Sequence, residues 1–102
     1  MNSIIESRRE AIEKLCIKFS VKRLELFGSA TRGEFQSGLS DLDFLVEFES
    51  LDYAKHADAY FDLKEELEKL FGCDVDLVET KAIKNPYFLE SVNVSRLPVY
   101  AA

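Results

Sequence analysis

The chain has 102 residues, of which 47% are hydrophobic, 31% charged and 12% aromatic. This length and composition fit a single domain, 1–102, and exclude a disordered chain or a second core of similar size. A count of 13 Lys and Arg against 19 Asp and Glu gives a formal net charge of −6. That charge argues against non-specific nucleic-acid binding, which depends on cationic side chains, but it is compatible with a metal-bound nucleotide or a basic protein partner.

The pattern of apolar and cysteine residues indicates a cytoplasmic location. No apolar run in the sequence reaches the length of a membrane span or of a signal peptide. Cys16 and Cys73 lie far apart, form no C-x-x-C motif and fit apolar positions of their local patterns. A reducing compartment without membrane association is therefore expected.

Apolar periodicity and turn residues predict the elements of secondary structure. Ser3 followed by Glu6 is typical of a capping box, Gly72 is suited to end a helix, and Asn85 before Pro86 is suited to begin one. The predicted elements, in chain order, are a helix over about 3–19, a strand over 21–27 that ends at Gly28, a loop over 29–40, a strand over 41–48, a helix over 53–71, a strand over 73–80 and a final helix from Asn85 that stops at Pro98.

The order of these elements predicts the fold class. The helix between the second and third strands makes a right-handed crossover, which places those two strands parallel, while the first strand can run antiparallel to the second. The expected fold is α/β (α+β), with a small mixed β-sheet flanked by helices in the order α-β-loop-β-α-β-α. The apolar side of the helix over 53–71 is predicted to consist of Ala57, Tyr60, Phe61, Lys64, Leu67 and Phe71.

Paired aspartates carry the strongest chemical signal. Asp41 and Asp43, two positions apart on one strand, project from the same face with Cα atoms roughly 6.6 Å apart. Carboxylates this close repel unless a cation lies between them, and Mg²⁺ prefers such hard oxygen ligands. Asp74 and Asp76 repeat the spacing on the adjacent strand. Asp76 is the better candidate for a third acid, because it lies within an apolar strand where an unpaired charge is costly to bury.

Gly28 and Ser29 complete the pattern, because antiparallel pairing returns them to the first aspartate pair. A glycine lets backbone amides approach a phosphate, and a serine hydroxyl adds a hydrogen-bond donor. Together with the carboxylates, this turn predicts metal-dependent phosphoryl or nucleotidyl transfer. A Walker A loop is excluded because Glu34 and Phe35 stand where it requires Lys and Ser or Thr. His56, the only histidine, is expected to be a partly exposed surface residue.

Three segments together resemble the minimal nucleotidyltransferases of the DNA polymerase β-like superfamily. The segments are Leu26-Phe27-Gly28-Ser29-Ala-Thr-Arg32-Gly33, Ser40-Asp41-Leu42-Asp43-Phe44-Leu45-Val46 and Val75-Asp76-Leu77-Val78. The signature is a Gly-Ser, a short spacer, a D-x-D and a third acidic residue on a later strand. The resemblance runs from about Leu24 to Val78 and implies the polymerase β-like nucleotidyltransferase fold.

The resemblance also implies a role for each residue of the signature. Gly28 and Ser29 would bind the nucleotide phosphates. Asp41 and Asp43 would be catalytic residues that ligate Mg²⁺, and Asp76 would be the third catalytic and metal-binding acid.

The chain departs from the family pattern in two places. Eleven residues separate Ser29 from Asp41, one more than is usual, and Ala30 stands where the family often has an arginine. The extra residue lies in a glycine-containing loop, where insertions are tolerated. Arg32-Gly33 is retained, so Arg32 is a candidate nucleotide-binding residue, with a solvent-exposed arginine as the alternative.

The resemblance implies an antitoxin. Minimal nucleotidyltransferases are commonly the antitoxin half of a prokaryotic pair whose toxin is a HEPN-domain ribonuclease. The implied activity is Mg²⁺-dependent transfer of AMP from ATP to a tyrosine hydroxyl of that toxin, with no direct nucleic-acid binding. Two alternatives stay open: a binding-only antitoxin with a vestigial site, and a nucleotidyltransferase that acts on a small molecule or an RNA end.

Overall fold

The computed structural model describes residues 3–28, 42–82, 84–87, 90 and 96–102. Its elements, in chain order, are α1 (Ser3–Glu6), α2 (Arg9–Lys18), β1 (Val21–Phe27), β2 (Leu42–Phe48), α3 (Tyr53–Phe71), β3 (Val75–Glu79), a 3₁₀ turn (Thr80–Ala82) and β4 (Leu97–Ala101). Pro86, Tyr87 and Glu90 are also helical. Within these ranges, no helix is both long and apolar enough to cross a membrane.

The four strands form one mixed sheet in the order β3-β2-β1-β4. β1 pairs antiparallel with β2, and β2 pairs parallel with β3, so both predicted pairings are confirmed. β4 is a correction, because the sequence predicts a final helix up to Pro98 whereas Pro98 lies within this strand. β4 pairs with β1 at the edge of the sheet, where a proline is tolerated because no further strand needs its missing N–H.

The first predicted helix, 3–19, is a second correction, because a turn at Ser7 and Arg8 divides it into α1 and α2. The side chain of Arg8 reaches the end of α3. Its Nε donates to the Leu70 carbonyl at 3.2 Å, and its guanidinium lies 5.3 Å from the centre of the Phe71 ring. These contacts hold the turn against α3. The Ser3 side chain of the predicted capping box lies outside the described atoms.

The main core lies between one face of the sheet and the helices. β2 contributes every second residue to it, as the alternation predicts: Leu42, Phe44, Val46 and Phe48. β3 adds Val75 and Leu77, which are 1% and 5% exposed. The residues that alternate with these core residues on both strands therefore point to the opposite face of the sheet.

α3 has the predicted bounds and ends at Gly72 as predicted, and Asp52 is an N-cap that the sequence analysis did not single out. Asp52 Oδ1 accepts from the Lys55 N–H at 2.9 Å, and Gly72 adopts φ +69° at the C-terminal end. The predicted apolar side is partly wrong, because the buried row consists of Ala59, Leu63, Leu67 and Phe71. Phe61 is instead 66% exposed. The four-residue spacing of the buried row keeps it on one face of the helix.

β3 is shorter than the predicted strand over 73–80 because other structure occupies both ends. Gly72 and Cys73 still belong to the turn after α3, and Thr80 already belongs to the 3₁₀ turn. Further along the chain, Asn85 Oδ1 accepts from the Tyr87 N–H at 2.9 Å. This is the predicted N-cap with Pro86 as the first helical residue.

An ion pair that the sequence did not reveal joins the start of β4 to β1. The Glu25 side chain leaves the face opposite to the core, beside Leu45 of β2, and the residue is only 8% exposed. Its two carboxylate oxygens accept from Arg96, from Nε at 3.0 Å and from Nη2 at 2.5 Å. The hydrogen bonds to Glu25 raise the pKa of Arg96 above its usual range. Two-point pairing of this kind fixes the guanidinium as well as neutralising it.

Replacing Arg96 with Ala is expected to lower the free energy of unfolding by about 1–3 kcal/mol, because a nearly buried carboxylate loses its charged partner. Adding Glu25→Ala removes the stranded charge and should recover part of that loss. Urea denaturation of both single variants and the double variant measures the coupling between the residues. Strictly additive losses would contradict a coupled pair.

Candidate active site

Asp43 and Asp76 lie opposite each other on neighbouring strands. They are Cα partners in the parallel ladder between β2 and β3, so both side chains leave the same face of the sheet. That face is opposite to the main core, because the neighbours of both aspartates along their strands are buried there. Asp43 is half-buried. Asp76 is exposed, so the expectation that its charge is buried within an apolar strand is wrong: only its neighbours Val75 and Leu77 are buried.

Gly28 approaches the same carboxylate from the other side of β2. Phe27, the last residue of β1, is the antiparallel partner of Asp43, and Gly28 follows with φ +81°. A Cβ atom on Gly28 would lie 2.7 Å from Asp43 Oδ2. The left-handed backbone therefore favours glycine here, and any Cβ atom would oblige the Asp43 carboxylate to shift.

A small apolar cluster lies beside the two aspartates on this face. It consists of Phe27, Leu45 and the partly buried Val78, one residue from each of three strands. Leu45 is two positions from Asp43, and Val78 is two positions from Asp76, so these residues share the face of the carboxylates. The Glu25–Arg96 pair lies beside Leu45. The aspartates are thus built on paired strands with a packed surface next to them.

Three of the six predicted site residues are brought together: Gly28, Asp43 and Asp76. The other three lie outside the described residues: Ser29, Arg32 and Asp41. Asp74 precedes β3 and is exposed, and its carbonyl accepts from the Leu42 N–H at 3.1 Å. The partner of Asp43 in the ladder is therefore Asp76 and not Asp74.

The carboxylates of Asp43 and Asp76 fit a divalent metal ion. They place hard oxygen donors on adjacent strands, and their mutual repulsion would be relieved by a cation between them. In the ranges that the structure describes, no group of three or more His, Cys, Asp or Glu residues is close enough to hold a metal. Asp41, which is also a predicted metal ligand, lies outside those ranges. Mg²⁺ commonly takes only one or two protein carboxylates and completes its shell with phosphates and water.

Comparison with known proteins identifies the family. Residues 8–99 match the family model described as a nucleotidyltransferase domain. The chain therefore belongs to the nucleotidyltransferase domain family, and it is a nucleotidyltransferase.

Individual relatives agree with the minimal form of this family. A protein of Methanocaldococcus jannaschii, provisionally named a protein adenylyltransferase, is 41% identical over 92 residues, which are 90% of each chain. A solved structure of a minimal nucleotidyltransferase, assigned as such provisionally, has a TM-score of 0.69 at 38% identity and covers 91% of this chain and 90% of that one. These similarities confirm the predicted family and fold class.

A more distant solved structure shares the fold. It is a tri-AMPylated HEPN toxin of Shewanella oneidensis in complex with an MNT antitoxin. The match has a TM-score of 0.64 at 21% identity, and it covers 96% of this chain and 73% of the matched chain of that structure.

Gly28→Ala is expected to displace the Asp43 carboxylate, because the new methyl group would lie 2.7 Å from Oδ2. Affinity for Mn²⁺, measured by isothermal titration calorimetry, should fall about 10- to 100-fold, as it does when residues supporting a metal ligand are altered. Gly72→Ala is the matched control. Gly72 also has positive φ, at +69°, but a Cβ there meets nothing within 4 Å. It should lose comparable stability and keep its metal affinity, and equal losses of affinity in both variants would contradict the prediction.

Proposed function

We propose that the chain is a Mg²⁺-dependent protein adenylyltransferase of the cytoplasm, which transfers AMP from ATP to a tyrosine hydroxyl of a HEPN-type toxin and so neutralises it. The observation that carries the proposal is the register that places Asp76 opposite Asp43, with Gly28 against the Asp43 carboxylate. The adenylyltransferase name of the Methanocaldococcus relative and the AMPylated HEPN toxin in the Shewanella complex support it.

In the proposed reaction, one part of the site acts on the acceptor hydroxyl and another part binds the nucleotide. The acceptor hydroxyl oxygen attacks the α-phosphorus of ATP, a new P–O bond forms, and the bond to pyrophosphate breaks. Asp76 is exposed, so an acceptor carried by another protein can reach its carboxylate, which takes the hydroxyl proton. The glycine turn at Gly28, followed by Ser29, lets backbone amides and a hydroxyl approach the distal phosphates, and Arg32 adds a cationic contact to them.

Asp41, Asp43 and Asp76 are the residues that would hold Mg²⁺. When bound, the ion would neutralise charge on the phosphates and orient the α-phosphate toward the acceptor. Asp43 would remain fixed in this arrangement because it is half-buried between its ladder partners in β1 and β3.

Charge and exposed aromatic side chains support a protein partner. The net charge of −6 favours a basic protein. Tyr53, Phe61 and Tyr87 are 93%, 66% and 82% exposed, and aromatic residues of this kind are frequent anchors of interfaces. The acceptor tyrosine would then arrive on the folded surface of the bound toxin.

Asp43→Asn and Asp76→Asn are each expected to lower AMP transfer from labelled ATP to the partner by about 10²- to 10⁴-fold. Asp41→Asn should do the same. The fold should survive, because neither Asp43 nor Asp76 belongs to the main core, and thermal stability without Mg²⁺ should stay equal or rise as repulsion is relieved. Asp74→Asn is the control and should keep the parental rate. An inactive Asp74→Asn with an active Asp76→Asn would contradict the assigned third acid.

Co-expression with the product of the adjacent gene tests the partner. We expect a stable complex on size-exclusion chromatography and a mass increase of the partner by whole AMP groups on tyrosine. The Asp43→Asn/Asp76→Asn double variant should still bind the partner but fail to neutralise it. Full neutralisation by that variant would instead establish a binding-only antitoxin. Label found on RNA ends or on a small molecule would establish the other alternative.

A further inference from the structure

α3 contacts the outer edge of β3 in three places. β3 is the edge strand of the sheet that the described residues form, so none of the described strands pairs with its outward backbone groups. Glu68 Oε2 accepts from the Val75 N–H at 3.1 Å, and the Tyr60 hydroxyl donates to the Leu77 carbonyl at 2.5 Å. The third contact joins the side chains of His56 and Glu79. Helix residues that lie one or two turns apart therefore contact alternate residues of the strand.

These contacts hold β3 from the side opposite to β2. The peptide group between Asp74 and Val75 is bound on both sides, because its carbonyl accepts from the Leu42 N–H and its N–H donates to Glu68. The hydrogen bond from Val75, followed by that from Lys64, lowers the pKa of Glu68, which keeps the acceptor ionised and the bond charge-assisted. One residue beyond Asp76, the carbonyl of Leu77 is held by Tyr60.

Asp76 lies between these two fixed residues. Its own side chain is exposed, so its position comes from its backbone neighbours, and those neighbours are buried in the core and bonded to α3. We propose that Glu68 and Tyr60 are positioning residues of the active site, which hold the outer edge of β3 so that Asp76 stays opposite Asp43. This inference rests on the proposed function, in which Asp76 acts on the acceptor.

A purely structural role would leave a different signature. If the contacts only protected the edge strand, their loss would lower stability and leave the turnover of the folded protein unchanged. If they position Asp76, their loss lowers kcat for AMP transfer while KM for ATP changes little, because the phosphates are bound by the turn at Gly28 and Ser29. If they position Asp76, the loss of kcat must also depend on the Asp76 side chain.

The experiment compares Glu68→Ala, Glu68→Gln and Tyr60→Phe, with Glu65→Ala as the matched control. Glu65 is an exposed residue of the same helix, and its carboxylate pairs with Lys69 at 3.3 Å. Glu68→Ala should lower kcat about 10- to 100-fold, the range expected when a reacting group is displaced by about 1 Å. Glu68→Gln should restore most of the rate, since its amide oxygen can still accept from Val75. Tyr60→Phe should lose rate in the same direction, and Glu65→Ala should keep the parental rate.

Two further measurements separate this inference from the proposed function. Amide exchange of Val75, followed by NMR, should accelerate in Glu68→Ala and slow again in Glu68→Gln. In an Asp76→Asn background, Glu68→Ala should cause no further loss of kcat. An additional full loss there, or faster exchange with unchanged kcat, would overturn the positioning role while leaving the proposed function intact. Parental activity of Asp76→Asn alone would overturn the role of Asp76 in the proposed function.

Discussion

The register of β2 with its two neighbours is the constraint on which the site depends. Asp43 faces Phe27 and Gly28 on one side and Asp76 on the other. Slipping β3 by one residue would exchange Asp76 with Val75 or Leu77, because side chains alternate between the two faces. A carboxylate would then enter the core, and an apolar side chain that is now 1% or 5% exposed would leave it. Core packing on the opposite face therefore enforces the position of the two carboxylates.

The two faces of the sheet have different roles: one face is buried in the main core, and the other carries the candidate catalytic residues. Most buried residues lie on the face toward the helices, and that burial offsets the conformational entropy lost on folding. The opposite face carries the aspartates, the small cluster around Leu45, and the Glu25–Arg96 pair. Like charges on this face cost stability when no cation is present. This repulsion does not disrupt the main core, because Asp43 and Asp76 do not belong to it.

The sequence predicts best where local pattern and tertiary structure agree. β2 places an apolar residue at every second position from Leu42 to Phe48, and α3 has an apolar periodicity that ends at Gly72, so both were predicted with accurate bounds. The turn at Arg8 depends on Leu70, 62 positions along the chain, and β4 exists through pairing with β1. Neither leaves a local signal. Tyr60 and Glu68 fit a helix surface equally well without β3 as a partner. The juxtaposition of Gly28, Asp43 and Asp76 could be predicted because their spacing places them on paired strands.

The register also bears on the longer spacer of this sequence. Eleven residues separate Ser29 from Asp41, one more than the family pattern has. Outside this segment, strand pairing holds Phe27 beside Asp43, because the two residues are ladder partners. Pairing fixes the two strands through their whole length, and lengthening a loop costs only a slowly growing entropy. An inserted residue therefore does not move Gly28 away from the Asp43 carboxylate, because both residues are held by the pairing of β1 with β2.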